Sequence, residues 1–257
     1  MNIVLNELEW ARCAIMDRNL GRKPYETLVR VAKLYIYEGN NKASVRRNLE
    51  DFIARCEPGT PLPGWGDTIE RAIKMASKYK PVQLDHVSVT QPEMDIISKL
   101  ESKQLQRLAF TLLCISKYWD AVHPQNDHWI KNTDAEIFKM ANINTSIKRR
   151  CQMYTQLVEH GLIAFPKKVD SVNIHVLFQK DGDSALDVDN FQNVGYQYQY
   201  YCGNSGFFRC AECGLVVHDS RTGSGRRQKY CRDCAITMKL KQNVDSKMRR
   251  QMLSIGA

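Results

Sequence analysis

Apolar positions recur at helical spacing over long parts of this chain and alternate only in short runs. The pattern therefore predicts helices with small β elements. Near the start it predicts helices over 24–38, 41–56 and 67–80. Between the last two lies Glu57-Pro-Gly-Thr-Pro-Leu-Pro-Gly-Trp-Gly-Asp67, too rich in Pro and Gly to continue either one. Gly59 and Gly64 imitate the opening of a phosphate loop, but Trp65 stands where that loop needs its lysine. Trp65 is expected to plug the helical core instead. Further on, Leu105, Leu108, Ala109, Leu112 and Leu113 mark an amphipathic helix over 98–119.

A polar loop follows, with His123 and His128 expected to be structural or exposed. Thr133-Asp-Ala-Glu136 then has the form of a capping box, opening a short helix to about Met140. A longer helix is predicted over 145–160, with Gly161 as its stop. A helical wheel puts Ile147, Cys151, Tyr154 and Val158 on one face, with Leu157 at its margin. Lys148, Arg149, Gln152 and Gln156 share the other face. Residues 162–165 and 172–178 alternate as two strands of a hairpin. The stretch 179–195 carries Asp181, Asp183, Asp187 and Asp189, but Ala185 stands where a calcium loop needs an oxygen ligand. It is expected to be an acidic linker, and Tyr196-Gln-Tyr198-Gln-Tyr200-Tyr201 a strand burying one face.

Composition adds scale. The chain has 257 residues, 43% hydrophobic and 25% charged, enough for two or three modest domains with packed cores. Its longest apolar stretch, Leu108 to Ile115, contains Thr111 and is far short of the ~20 residues of a spanning helix. Membrane residence is not expected. Met1 to Trp10 carries Glu7 and Glu9 without a cationic start, unlike a secretory signal. The expected location is the cytoplasm of a bacterial host cell.

The net charge of +9 is unevenly spread: residues 207–257 hold 11 Lys and Arg against 4 Asp and Glu, a balance of +7. Such a cationic end favours a polyanionic partner, because phosphate binding releases condensed counterions.

Four of the nine cysteines stand in two close pairs, Cys210-x2-Cys213 and Cys231-x2-Cys234, with seventeen residues between. Two residues between cysteines let one tight turn present both sulfurs to one ion, and four thiolates suit tetrahedral zinc. Four ligands leave no position for an activated water, so one structural Zn2+ is expected. Cys13, Cys56, Cys114 and Cys151 are scattered through helical patterns and read as reduced thiols, and Cys202 stands alone. Phe207 to Val217 reads as strand, knuckle and strand, and 235–252 as a helix. A hairpin knuckle joined to a helix-opening knuckle resembles a treble-clef finger. The string from Arg226 to Ala235 is similar to the short cysteine fingers of many bacterial and phage proteins. Around the metal pairs, Arg221, Arg226, Arg227, Lys229, Arg232, Lys239 and Lys241 are candidate phosphate contacts.

Residues 133–178 resemble a winged helix-turn-helix in element order and in the Gly161-Leu-Ile transition from helix to wing. That resemblance implies that Thr145, Ser146, Lys148, Arg149 and Gln152 reach base edges, with Lys167 and Lys168 on the wing touching phosphate. The layout as a whole is similar to uncharacterised proteins of bacterial phages and mobile elements.

The expectation is a mainly α protein with small β elements (α+β): a helical domain over 1–90, a winged-helix-like domain over 91–178, the acidic linker and Tyr-rich strand over 179–206, and a zinc finger with a basic helix over 207–257. No catalytic motif is found, so the expected function is non-enzymatic nucleic-acid binding, DNA before RNA, with no small-molecule substrate. The alternative is a protein-binding factor that docks on a host complex, such as a polymerase or a defence nuclease like a CRISPR effector.

Overall fold

The computed structural model describes residues 3–59, 61–166, 173–219 and 228–255, with side chains described up to 244 and at 246 in the last of these. With 55% helix against 11% strand, the fold is an α-dominated α+β fold. The chain divides into two compact units, Met1–Val87 and Ser88–Ala257.

In the first unit, helices α1 (Glu7–Met16), α2 (Pro24–Tyr37), α3 (Lys42–Cys56) and α4 (Gly66–Lys78) close around Leu28, Val31, Leu49, Phe52 and Ile69, all fully buried. Pro24 opens α2, where its missing N–H costs nothing. Asn41 caps α3 by accepting the Ser44 N–H at 2.9 Å. Trp65 is partly buried against this core. The sequence pattern sets no bounds for α1, although Cys13 falls within or at the edge of a helical pattern. Its inward residues are Leu8, Ala11, Ala14 and Glu7, a stripe too small and too polar to read as a core face. Glu7 is 3% exposed and bonds Lys33 at 2.6 Å while its second oxygen lies 3.5 Å from Arg30. It also accepts the Val82 N–H at 2.9 Å. A carboxylate can be this buried because two cations and an amide compensate its lost water.

The second unit is arranged around α6 (Lys103–Val122), in which every residue from Leu108 to Ile115 is fully buried. Thr111 is tolerated because its hydroxyl donates to the Arg107 carbonyl four residues back, at 2.7 Å. This helix begins later than its periodicity suggests. Ser98 ends a separate helix, α5 (Gln91–Ser98), and Ser102 caps α6. The Gln106 amide donates to the Ser98 and Leu100 carbonyls at 3.2 and 2.7 Å, satisfying the groups that α5 leaves open. Glu93 of α5 is fully buried and accepts from the Thr90 N–H, the Lys180 N–H and Lys117 Nζ at 2.8, 2.9 and 2.9 Å.

After α6 come β2 (Trp129–Ile130), α7 (Asp134–Met140), α8 (Ile147–Glu159), β3 (Ile163–Ala164) and β4 (Ile174–Val176). The strands form an antiparallel sheet in the order β2-β4-β3, pairing Trp129 with His175 and Ile163 with Val176. Thr133 and Glu136 form the predicted capping box of α7. Gly161 ends α8 at φ +68°, a conformation that favours glycine.

Residues 179–206 require a correction. They are not a linker followed by a strand. Strand β5 (Ser184–Val188) pairs with β1 (Val87–Thr90), where Asp187 accepts a hydrogen bond from Ser88 at 2.6 Å. The tyrosine-rich stretch is a helix, α9 (Val194–Tyr201). Alternating Tyr and Gln imitates a strand, but the backbone coils so that Tyr198 reaches Phe110 of α6, with ring centroids 5.2 Å apart. Gly195 lets the start of α9 approach the end of α7, since a Cβ there would run into the Ala141 carbonyl. Accordingly, Gly195→Ala is expected to destabilise the second unit by ~2–3 kcal/mol in equilibrium denaturation, because two backbones must separate. Gly66→Ala in α4, whose nearest neighbour is a flexible arginine tip at 3.9 Å, is expected to leave stability unchanged or raise it.

Candidate metal centre and nucleic-acid surface

Strands β6 (Phe207–Arg209) and β7 (Val216–His218) form a hairpin that holds the first cysteine pair at its turn. Cys210 N–H bonds the Leu215 carbonyl at 2.9 Å and Gly214 N–H returns to the Cys210 carbonyl at 3.0 Å. Gly214 takes φ +72°, which swings the knuckle round so that both sulfurs face inward. The second pair stands at the start of α10 (Arg232–Ile255), with Cys231 just before the helix and Cys234 in its first turn. Ala211 N–H bonds the Lys229 carbonyl at 3.0 Å, tying the two arms together.

Cys210, Cys213, Cys231 and Cys234 therefore converge, all four sulfurs lying within 4.8 Å of one another. The Cys213 and Cys231 sulfurs are 3.8 Å apart, which is the edge of a tetrahedron drawn with Zn–S bonds of ~2.3 Å. All four are free thiols rather than disulfides. Cys231 N–H points at the Cys210 sulfur at 3.2 Å and Cys234 N–H at the Cys231 sulfur at 3.5 Å, amide donors of the kind that stabilise thiolate ligands. Burial pushes the Cys210 thiol up, but amides of Cys213, Cys231 and Glu212 outweigh it and hold the group at about 6. The donor set and its spacing fit a metal ion such as zinc. His218 lies outside the cluster, packed against Phe207 with ring centroids 5.1 Å apart.

The candidate nucleic-acid contacts fall in separate places. Lys148 and Gln152 are exposed on α8, and Thr145 is half-buried before it. Ser146 is the N-cap, its hydroxyl accepting the Arg149 N–H at 3.3 Å. The Arg149 guanidinium donates to the Gln152 amide oxygen at 3.3 Å, so these two side chains hold each other. Lys229, Arg232, Lys239 and Lys241 are exposed around the sulfur cluster and along α10. Lys167, Lys168, Arg221, Arg226 and Arg227 lie outside the described residues. His123 stacks on Trp119 and His128 bonds Asp120 at 2.7 Å, so both serve the local structure of the loop.

The apolar stripe predicted for α8 lies where the structure leaves an opening. Met153 and Leu157 are the buried residues, whereas Ile147 is 76% and Val158 41% exposed. The core thus takes a face rotated by roughly a quarter turn from the predicted stripe. Arg150 stands between the buried face and the opening. It bonds Asp134 at 2.7 Å and lies 4.9 Å over the Phe138 ring, so a cation occupies an inward position. Ile147, Cys151 and Val158 instead line an open groove of about 630 Å³ with Ile137, Phe165 and Ile174. Tyr154 lines it too, where burial and the neighbouring Asp134 carboxylate push its phenol well above the usual range. The apolar residues of this groove look like core in sequence, so periodicity alone does not mark them as exposed.

Purified protein is expected to carry one zinc per chain by elemental analysis. Cys213→Ser or Cys231→Ser should lower that content and remove hydrogen-exchange protection from 207–219 and 228–244, leaving residues 88–166 protected. Compared with models of known families, with curated proteins and with solved structures, the chain has no match in any of the three.

Proposed function

We propose that this protein is a non-enzymatic, zinc-stabilised nucleic-acid-binding protein, acting on DNA in preference to RNA, of the kind carried by phages and mobile elements. The observation that carries the reading is the coincidence of the cysteine cluster with the chain's positive excess, +7 over residues 207–257. A metal there holds a treble-clef-like finger, and its cations give salt-sensitive affinity for phosphate. The second support is topological. The order α6, β2, α7, α8, β3, β4 with sheet order β2-β4-β3 is compatible with a winged helix. On this reading Lys148, Arg149 and Gln152 on α8 meet base edges, and Lys167 and Lys168 meet the backbone.

Titration of duplex DNA, single strands and RNA at several salt concentrations tests the proposal. Contact with about five phosphates gives a log–log salt slope of about −4.5 on duplex DNA. Arg226→Ala, Arg227→Ala and Lys229→Ala together flatten that slope, and a chelator abolishes binding. A slope unchanged by the triple substitution removes the finger from the surface.

One observation favours a second reading, docking on a host protein complex. The groove beside α8 exposes Ile147, Val158 and Phe165 together, and apolar patches of this kind mark protein contacts more than phosphate contacts. A stoichiometric partner captured from nuclease-treated lysate, and lost with Ile147→Asp, would support it over DNA binding.

A further inference from the structure

Helix α4 turns one side to the core of the first unit and the other to water. Ile69, Ala72, Ile73 and Ala76 are buried, while Arg71, Lys74, Met75 and Lys78 are exposed. Spacings of three and four residues put these four exposed side chains on one stripe. Tyr79 carries the stripe past the helix end in extended backbone, and exposed Lys80 follows. No acidic residue stands between Glu70 and Asp85. Glu70 itself is taken by Lys42 at 3.0 Å and Arg46 at 2.7 Å, and Asp67 lies back in the first turn of α4.

Other surface cations of this unit meet carboxylates, Arg12 with Glu38, Lys23 with Glu26 and Arg46 with Glu50. Among the described residues, Arg71, Lys74 and Lys78 have no ion pair. Like charges three and four apart repel along a helix, so Arg71 with Lys74 and Lys74 with Lys78 oppose the helix that displays them. A bound polyanion removes that repulsion. Phosphate alone does not account for the groups between the cations. Tyr79 is 44% and Met75 41% exposed, with Lys78 Nζ 5.1 Å from the Tyr79 ring centre. Tyr25, at the start of α2, is also exposed and lies 6.0 Å from the Arg71 guanidinium. Cations interleaved with exposed rings fit a single strand, whose phosphates meet the cations and whose open bases stack on the rings. A duplex offers base edges in its grooves rather than base faces. A membrane surface takes up the apolar face of a helix, and α4 has buried its own in the core.

We propose that the first unit binds single-stranded DNA along Arg71, Lys74, Lys78 and Lys80, with Tyr79 as a stacking platform. The choice of DNA rests on the function proposed above. The surface does not: it belongs to the other compact unit, needs no metal and shares no residue with the finger.

The test is an anisotropy titration of the full, zinc-loaded chain with a labelled oligothymidylate of about 20 nucleotides, longer than one site. It is run in the chain already carrying Arg226→Ala, Arg227→Ala and Lys229→Ala, so that the finger's share is reduced and the two surfaces are judged separately. Arg71→Ala, Lys74→Ala and Lys78→Ala together, all at exposed positions, leave the helix signal unchanged and weaken binding about tenfold or more. They also reduce the log–log salt slope by about 2, the share of three phosphates on a single strand. Tyr79→Ala weakens binding about fivefold and leaves the slope as it was. Binding indifferent to the three substitutions on α4 overturns the proposal. An equal loss for a duplex of the same length overturns the single strand as its ligand. A loss with the three substitutions but none with Tyr79→Ala overturns the stacking platform. Displacement by poly-glutamate as effective as by unlabelled strand, at equal charge, assigns the surface to acidic proteins and overturns the proposal.

Discussion

The C-terminal part of this protein gathers four sulfur atoms where another domain would have a core. Among the described residues from 207 onward, Val216 is the one fully enclosed aliphatic side chain, beside Cys210 and Cys231. A three-residue hairpin and the first turn of a helix bury too little apolar surface to offset the entropy of ordering them. A metal ion bound by the converging thiols, with amides turned toward two of the sulfurs, would supply an alternative source of stability. Metal coordination in small fingers contributes ~10–16 kcal/mol, more than a core of this size provides. The cations of this region can form a surface in one fixed arrangement only if that centre holds its two arms together.

The rest of the second unit follows the opposite rule. Helix α6 is enclosed on all sides from Leu108 to Ile115, and α7, α9 and the β2-β4-β3 sheet are placed by contact with it. Buried polar groups appear where elements must be joined. Glu93 ties α5 to Lys117 of α6 and to the Lys180 amide. Arg150 and Asp134 join α8 to α7. Removing Lys117 leaves the buried Glu93 charge short of a partner, so that site specifies the arrangement more than it adds to its stability, whereas Arg150 and Asp134 are only half-buried. Beside Arg150, the apolar residues of α8 line an open groove.

The capping box at Thr133, the glycine stop at Gly161 and the paired cysteines were readable because each is a local device. A hydroxyl three residues from a carboxylate, or two thiols in one turn, functions with little help from the rest of the chain. The elements that local pattern misassigns depend on distant residues. The tyrosine-rich stretch alternates like a strand, yet Gly195 and Tyr198 are chosen for contacts with Ala141 and Phe110, far away in the chain. Helix α1 has no readable bounds in sequence because its anchor is Glu7, a residue whose burial makes sense only once Arg30 and Lys33 are in place.

The amino-acid sequence alone determined the helical class, the positions of most helices, the four-cysteine ligand set and the concentration of positive charge beside it. These depend on periodicity, on spacing within a turn and on composition, which are properties of short segments. Tertiary structure alone decided which face of α8 is buried, that residues 184–201 form a strand and a helix within the second unit, and that Ile236, Leu240 and Val244 remain exposed. Those outcomes depend on which distant surfaces compete for each apolar side chain, and no local pattern encodes the winner.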